Sequence, residues 1–393
     1  MPKGLILLTT CSFLLLVGCS SVTKQQVSIL PVPAPLTLPS LNTEIFDPIS
    51  VPTKKDIFAL TEKQRTDFLR YYHDPKNQQT QGHIRLFDYL DTFVDDFGFR
   101  GATLRASEAL FLKTGNCLSL AIVTKALADV VNLETAFQRV HSAPVYARNS
   151  RLMTLSSHVR TFIYDPNYAP PASVIVVRRP SIIIDYFPSR SDVTGVRVSQ
   201  ADFMAMYYQN VAAEALLNKQ LDHAYSLLQK GLSFNPLNTE TLNTLAVTFN
   251  RAGDPNQAEV LYQFMLDNGL ASGNVISNYV ALLQSQGREI EVTALEQKVD
   301  AIDDDNPYRW IDLGEQAFAE NSFTLANKYY KKAENIAPYL HEAYFGLAKS
   351  YYQLGRQNLS EKALTRAIEL TYNTVDKSLY EAKLHALVHS NSN

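Results

Sequence analysis

Residues 310–338 read WIDLGEQAFAENSFTLANKYYKKAENIAP, and the placement of their small and large apolar residues decides the fold of the second half of the chain. Trp310, Leu313, Gly314, Ala326, Tyr330, Ala333 and Pro338 form a pattern that returns elsewhere at a fixed interval. Ala224, Ala258 and Ala326 stand 34 and then 68 residues apart, one period and two. Around the first lie Tyr208, Ala212, Leu228, Gly231 and Pro236; around the second, Leu242, Leu245, Ala246, Phe249 and Tyr262. A later copy has Tyr344, Leu347, Ala348, Tyr351, Leu364 and Ala367, with Ser360 in place of the alanine. The middle copy keeps Tyr279, Leu283 and Gly287 but departs at Val292 and Glu296, without loss of register. Small residues at the crossing of a helix pair let the two helices approach, and large ones fill the space between neighbouring pairs.

The pattern resembles that of tetratricopeptide (TPR) repeats, which have the same period. The resemblance implies an all-α solenoid over residues 205–390, with five repeats in phase over 205–374 and a capping helix at 377–387. It further implies a protein or peptide bound along the solenoid groove. The Tyr- and Phe-rich stripes are read as core packing.

The chain has 393 residues, 46% of them hydrophobic and 19% charged, enough for two packed domains. A net charge of -3 with no basic patch gives no reason to expect a nucleic-acid partner. At the start, Lys3 precedes an uncharged run over residues 4–18 that is too short to span a bilayer and fits a secretory signal. Leu16-Val17-Gly18-Cys19 resembles the lipobox of bacterial lipoproteins. The resemblance implies a signal peptide at 1–18 and a membrane anchor through lipid on Cys19. Because Ser20 follows rather than Asp, it places the chain at the periplasmic face of the outer membrane. The alternatives are an ordinary signal peptide or a buried helix with an incidental cysteine. Residues 19–56 contain Pro31, Pro33, Pro35, Pro39, Pro48 and Pro52 and read as a lipidated N-terminus with an extended tether.

Residues 57–200 have an α+β texture. A helix start at Thr61-Glu62-Lys63-Gln64 is followed by helical patterns over 84–97 and 103–112, a break at Lys113-Thr114-Gly115-Asn116, and an apolar helix over 117–131. Runs rich in β-branched and aromatic residues follow at 136–140, 145–147, 158–164, 174–177 and 182–186, which predicts an antiparallel sheet.

Cys11 belongs to the signal and Cys19 to the anchor, so Cys117 is the one thiol of the folded body. In an oxidising compartment such a thiol is either buried as a small hydrophobe or put to use. Its place at a helix start favours thiolate, through the dipole and unpaired backbone N–H groups. Those N–H groups also suit an oxyanion formed by attack on a carbonyl. A histidine would take the thiol proton and a carboxylate would orient the histidine. The candidate bases near it are His158, which opens a strand, and His141; the candidate acids are Asp185 and Asp165. His223, His341, His385 and His389 fall in the repeats or the last helix.

Ala106-Ser107-Glu108-Ala109-Leu110 and Gly115-Asn116-Cys117-Leu118-Ser119-Leu120-Ala121 resemble the cysteine motif of the transglutaminase-like superfamily. The resemblance covers residues 97–188 and implies an α+β cysteine-protease-type fold. It assigns Cys117 as nucleophile, His158 as base and Asp185 as orienter, with His141 and Asp165 as substitutes. Asn116 stands where the family often has Asp. The expected function is thiol acyl transfer on a cell-envelope protein or peptide recruited by the repeats, by hydrolysis or by cross-linking. The alternative, of another class, is a non-catalytic envelope scaffold with a vestigial triad. No cofactor is expected, and no His/Cys/Asp cluster has metal-ligand spacing.

Overall fold

Thr61 accepts a hydrogen bond from the Gln64 amide while the Gln64 side chain accepts one from the Thr61 amide, the reciprocal cap that starts a helix. It opens α2 (Glu62–Tyr72), which follows the short α1 (Lys54–Phe58). The computed structural model describes residues 36–94, 97–99, 102–141, 158–169, 179–185, 193–302, 307–371 and 374–390. The expected signal, Cys19 and the strands at 145–147 and 174–177 lie outside the described residues.

Next come α3 (Gly82–Val94), β1 (Gly98–Phe99), α4 (Ala106–Leu112), β2 (Thr114–Gly115) and α5 (Cys117–Val130). They are followed by β3 (Thr135–His141), β4 (His158–Tyr164), β5 (Ser181–Ile184) and β6 (Val193–Val198). The last four strands form one antiparallel sheet in the order β5-β4-β3-β6, with Val140 opposite His158 and Thr161 opposite Ile184. Alternation puts Val159, Thr161 and Ile163 of β4 on one buried face. Val159 and Ile163 pack in the cores that α5 joins. The edge strand β6 is not among the expected runs, because Gly195 and Arg197 interrupt its Val residues.

From Gln200 the chain is helical. The pairs are α6 (Gln200–Leu217) with α7 (Leu221–Leu232), α8 (Thr239–Arg251) with α9 (Pro255–Asp267), and α10 (Gly273–Ser285) with α11 (Glu289–Glu296). Then come α12 (Pro307–Ala319) with α13 (Phe323–Ile336), α14 (His341–Gln353) with α15 (Gln357–Leu370), and the last helix α16 (Thr374–Ser390). This is a TPR-like helical solenoid. The residues at the 34-residue interval, Ala224, Ala258, Val292, Ala326 and Ser360, are all buried. Ser360 is tolerated there because its hydroxyl donates to the Ala348 carbonyl at 2.8 Å. Around Tyr330, Gly314 and Gly346 leave room for the ring; a Cβ at Gly314 would lie 2.6 Å from it. The third pair is irregular for a readable reason. Glu296 stands where the other repeats carry Leu228, Tyr262, Tyr330 and Leu364. A carboxylate is costly in such an apolar gap; Glu296 is half-buried, burial raises its carboxyl above its usual range, and α11 gives way just after it to a 3-10 turn, Gln297–Ala301.

Leu38–Asn393 form one compact unit. Part of the expected tether belongs to it. Residues 38–52 carry no helix or strand but pack on the solenoid. Prolines 39, 48 and 52 exclude a helix, and several remaining backbone groups find side-chain partners on the repeats. The Asn42 amide donates to Gln257 (3.0 Å), that of Asp47 to Asp222 (3.1 Å) and that of Ile49 to Ser226 (2.9 Å). The Tyr208 hydroxyl donates to the Pro52 carbonyl at 2.6 Å. Phe46 is buried and stacks on Tyr225 with ring centroids 4.3 Å apart. Replacing Phe46 with Ala should cost about 3 kcal/mol in denaturant unfolding and expose residues 38–52 to limited proteolysis. Unfolding and cleavage identical to the parent would show that the segment is a loose tether after all.

Candidate functional site

Lys113, left-handed at φ 48°, stops α4, and Gly115 at φ 146° turns the chain into α5. A Cβ on Gly115 would come within 2.6 Å of the Ser119 Cβ, so only glycine fits. Asn116 caps α5: its side chain accepts from the Ser119 amide (3.0 Å), and its own amide donates to the Ser119 hydroxyl (3.3 Å). Its amide nitrogen Nδ2 also donates to Thr103 Oγ1 at 2.7 Å. Thr103 in turn is held from α6: its backbone N–H donates to Glu214 (2.8 Å) and its hydroxyl accepts from Asn210 (3.4 Å). Burial raises the Glu214 carboxyl above its usual range, against the lowering effect of the Thr103 bonds. The predicted helix start at 103 is therefore displaced to Ala106, because Thr103 is used in this network.

Cys117 is the first residue of α5 and is buried, at 6% exposure. Leu118, Ala121 and Ile122 near the start of α5 share a core with Phe137 and Val159. Val123, Leu127 and Ala128 further along share one with Ile163 and Ile184. Ala126, beyond Val123, returns to the first of these cores, so the two cores lie on different sides of α5, which packs against β4. Because β5 is antiparallel to β4, its last residue and Asp185 lie toward the end of the sheet where β4 begins with His158. Asp185 is half-buried and falls level with Arg160, about 7 Å along the strand from His158. The backbone of His141 ends β3 there too. The side chains of His158 and His141 lie outside the described residues.

Asp165 is not part of this end. It follows the last residue of β4, about 23 Å along the strand from His158. There Asp165 Oδ1 lies 3.8 Å from Nδ1 of the buried His83 on α3. No sequence signal marks His83; the contact depends on how α3 meets the far end of the sheet. Among the described residues no group of three His, Cys, Asp or Glu side chains is placed to hold a metal ion, and no helix is long and apolar enough to cross a membrane.

The second notable arrangement lies along the first helices of successive pairs. Gln209 donates to Thr244 (3.2 Å), Asn278 to Asn243 (3.0 Å) and Asn274 to Glu240 (2.8 Å). Glu240 also pairs with Arg309 at 3.3 Å, and Lys349 with Glu315 at 2.6 Å. These residues recur because the same helix faces repeat every 34 positions: Asn210, Thr244, Asn278 and Asp312 form one file. Asp312 differs from the rest, since neither oxygen of its buried carboxylate has a hydrogen-bond partner. Burial, reinforced by Glu315 and opposed by Arg309, pushes its pKa from 3.8 up to about 7.

No family model and no curated protein sequence matches the chain. Among solved structures it is similar to several chains, one of them described as a TPR protein. One is Pseudomonas aeruginosa pilF, at 17% identity, over 49% of this chain and 88% of that one, with a TM-score of 0.31. A second is MamA, at 22% identity, over 42% and 91%, with a TM-score of 0.28. A third is YrrB, described as a TPR protein with an unusual peptide-binding site, at 14% identity, over 46% and 92%, with a TM-score of 0.28.

The Asp312 shift has a defined sign. The folded state holds the proton more tightly than the unfolded chain between pH 3.8 and about 7, so this residue's contribution to stability falls as pH rises through that window. The fall is at most about 1.4 kcal/mol per pH unit. Asp312→Asn should therefore gain stability over the parent progressively from pH 5 to pH 7 and hold a constant advantage above it, as read by denaturant unfolding. A difference independent of pH would show that the carboxyl is solvated in the folded state.

Proposed function

We propose that this chain is a protein-binding scaffold of the cell envelope, whose solenoid takes an extended peptide segment along the face lined by α6, α8, α10, α12 and α14. The observation that carries this reading is the file of amide side chains from Gln209 to Asn278. Gln209 and Asn278 are only half-buried, and each amide offers two donors and a carbonyl oxygen with two lone pairs, so a single interhelix bond leaves capacity for the N–H and C=O groups of a bound backbone. In a stacked helix-pair solenoid this face is the concave one. Lipid on Cys19 would hold the scaffold at the periplasmic face of the outer membrane, with residues 20–37 as the spacer. An Asn243→Leu/Asn278→Leu chain should lose the partners that the parent co-purifies while keeping its melting curve. An unchanged set of partners would sink the reading. Recovery of a Cys19→Ala chain in the membrane fraction would count against the anchor.

A second reading, favoured by a capped cysteine helix packed on a sheet whose strands carry His158 and Asp185, is a transglutaminase-like thiol acyl-transfer activity. Cys117 would attack a substrate amide, with His158 accepting the thiol proton and passing it to the departing amine, and Asp185 orienting the histidine. Water would then release the acyl group as an acid, or a second amine would take it as a cross-link. Support comes from residues of this chain alone: the capped helix start, the buried thiol, and the positions of His158 and Asp185 toward one end of the sheet on which α5 packs. The reading predicts that iodoacetamide labels Cys117 well below the ordinary thiol pKa of about 8.5. Labelling that begins only near that value would mark the thiol as a buried hydrophobe.

A further inference from the structure

We propose that the sheet face turned away from α5 carries a binding site for an oxyanion, a carboxylate or phosphate group, formed by the guanidinium groups of Arg160 and Arg197. The site goes beyond both readings above and involves neither Cys117 nor the solenoid face. Phe137, Val159 and Ile163 turn one face of the sheet to the helices, with Phe137 stacked on Phe203 of α6. On the other face Gln138 stands opposite Arg160 on β4 and opposite Arg197 on β6, so the three form one cross-strand row.

Arg160 is fixed within that row. Its Nε and Nη2 donate to Gln138 Oε1 at 3.0 and 2.8 Å, and Nη2 reaches Thr194 on β6 at 3.3 Å. Gln138 is itself anchored by donating to the Gly195 carbonyl at 2.9 Å. Arg197 is exposed and lies over the ring of buried Phe162, with its central carbon 3.8 Å from the centroid; that of Arg160 is 5.6 Å from the same centroid. Neither guanidinium forms an ion pair with a carboxylate of the described residues. Asp185 stands level with Arg160 on the neighbouring strand, yet Arg160 extends the opposite way, across β3 toward Arg197.

Two cations held at one aromatic ring, in a chain of net charge -3, repel each other, and an anion between them removes that cost. A guanidinium already held over a ring needs little further ordering to present its N–H fork, and that fork matches the paired oxygens of a carboxylate or phosphate. The aromatic face supports the cations and excludes water beneath them.

The test is titration of the full chain with glutarate and, separately, with pyrophosphate at low ionic strength, following the arginine Nε–Hε signals by NMR. Saturable shifts of the Arg160 and Arg197 signals with either probe support the site, and the tighter probe names the source of the oxyanion. Affinity should weaken at least about tenfold in Arg197→Gln, an exposed position that leaves the fold untouched, and also in Arg160→Gln. Gln138→Met, which keeps both charges but releases Arg160, should weaken it by a smaller factor. Absence of saturation with both probes up to about 10 mM, or the same affinity in Arg197→Gln, would overturn the proposal.

Discussion

The stacking of Phe203 on Phe137, with centroids 3.9 Å apart, is the contact on which the architecture depends. It places the first solenoid helix against the inner face of the sheet. Phe203 through Tyr208 are six successive buried residues, so α6 is covered on every side and belongs to both halves of the chain. One side meets the sheet, another meets α7 and α8, and Tyr208 reaches Pro52 of the N-terminal segment. Core residues from Ile57 and Leu118 to Leu364 consequently lie in one hydrophobic cluster.

That placement has a chemical consequence. Asn210 and Glu214 of α6 hold Thr103, and Thr103 holds the cap of the cysteine helix. Gln209, the neighbour of Asn210, begins the amide file that runs to α10. The face proposed to take a peptide and the loop that leads into Cys117 therefore share one helix. A scaffold needs only the first of these; the second is what keeps the acyl-transfer reading alive.

Much of this was legible in the sequence. The 34-residue interval located the helix pairs, since the small residues at the crossings cannot be enlarged without driving the helices apart. The Gly115-Asn116-Cys117 turn was legible because a left-handed break followed by a capping side chain has few other uses. What escaped depends on tertiary placement. Prolines mark residues 38–52 as non-helical but do not reveal that Asp222, Ser226 and Gln257 will satisfy their amides. Asp165 and Asp185 look equivalent as residues that end strands. Only the antiparallel pairing of β4 and β5 sends Asp165 to the far end, beside His83. The row of Arg160, Gln138 and Arg197 required the register of three strands, one of which was not expected at all.

The central claim is that α6 makes sheet and solenoid a single folding unit, and hydrogen exchange of a Phe203→Ala chain tests it most directly. Amide protection should fall together in β3, β4 and α6 to α8, because the helix that loses its anchor is common to both. Exchange that accelerates in the strands while the solenoid helices keep the protection of the parent would contradict it.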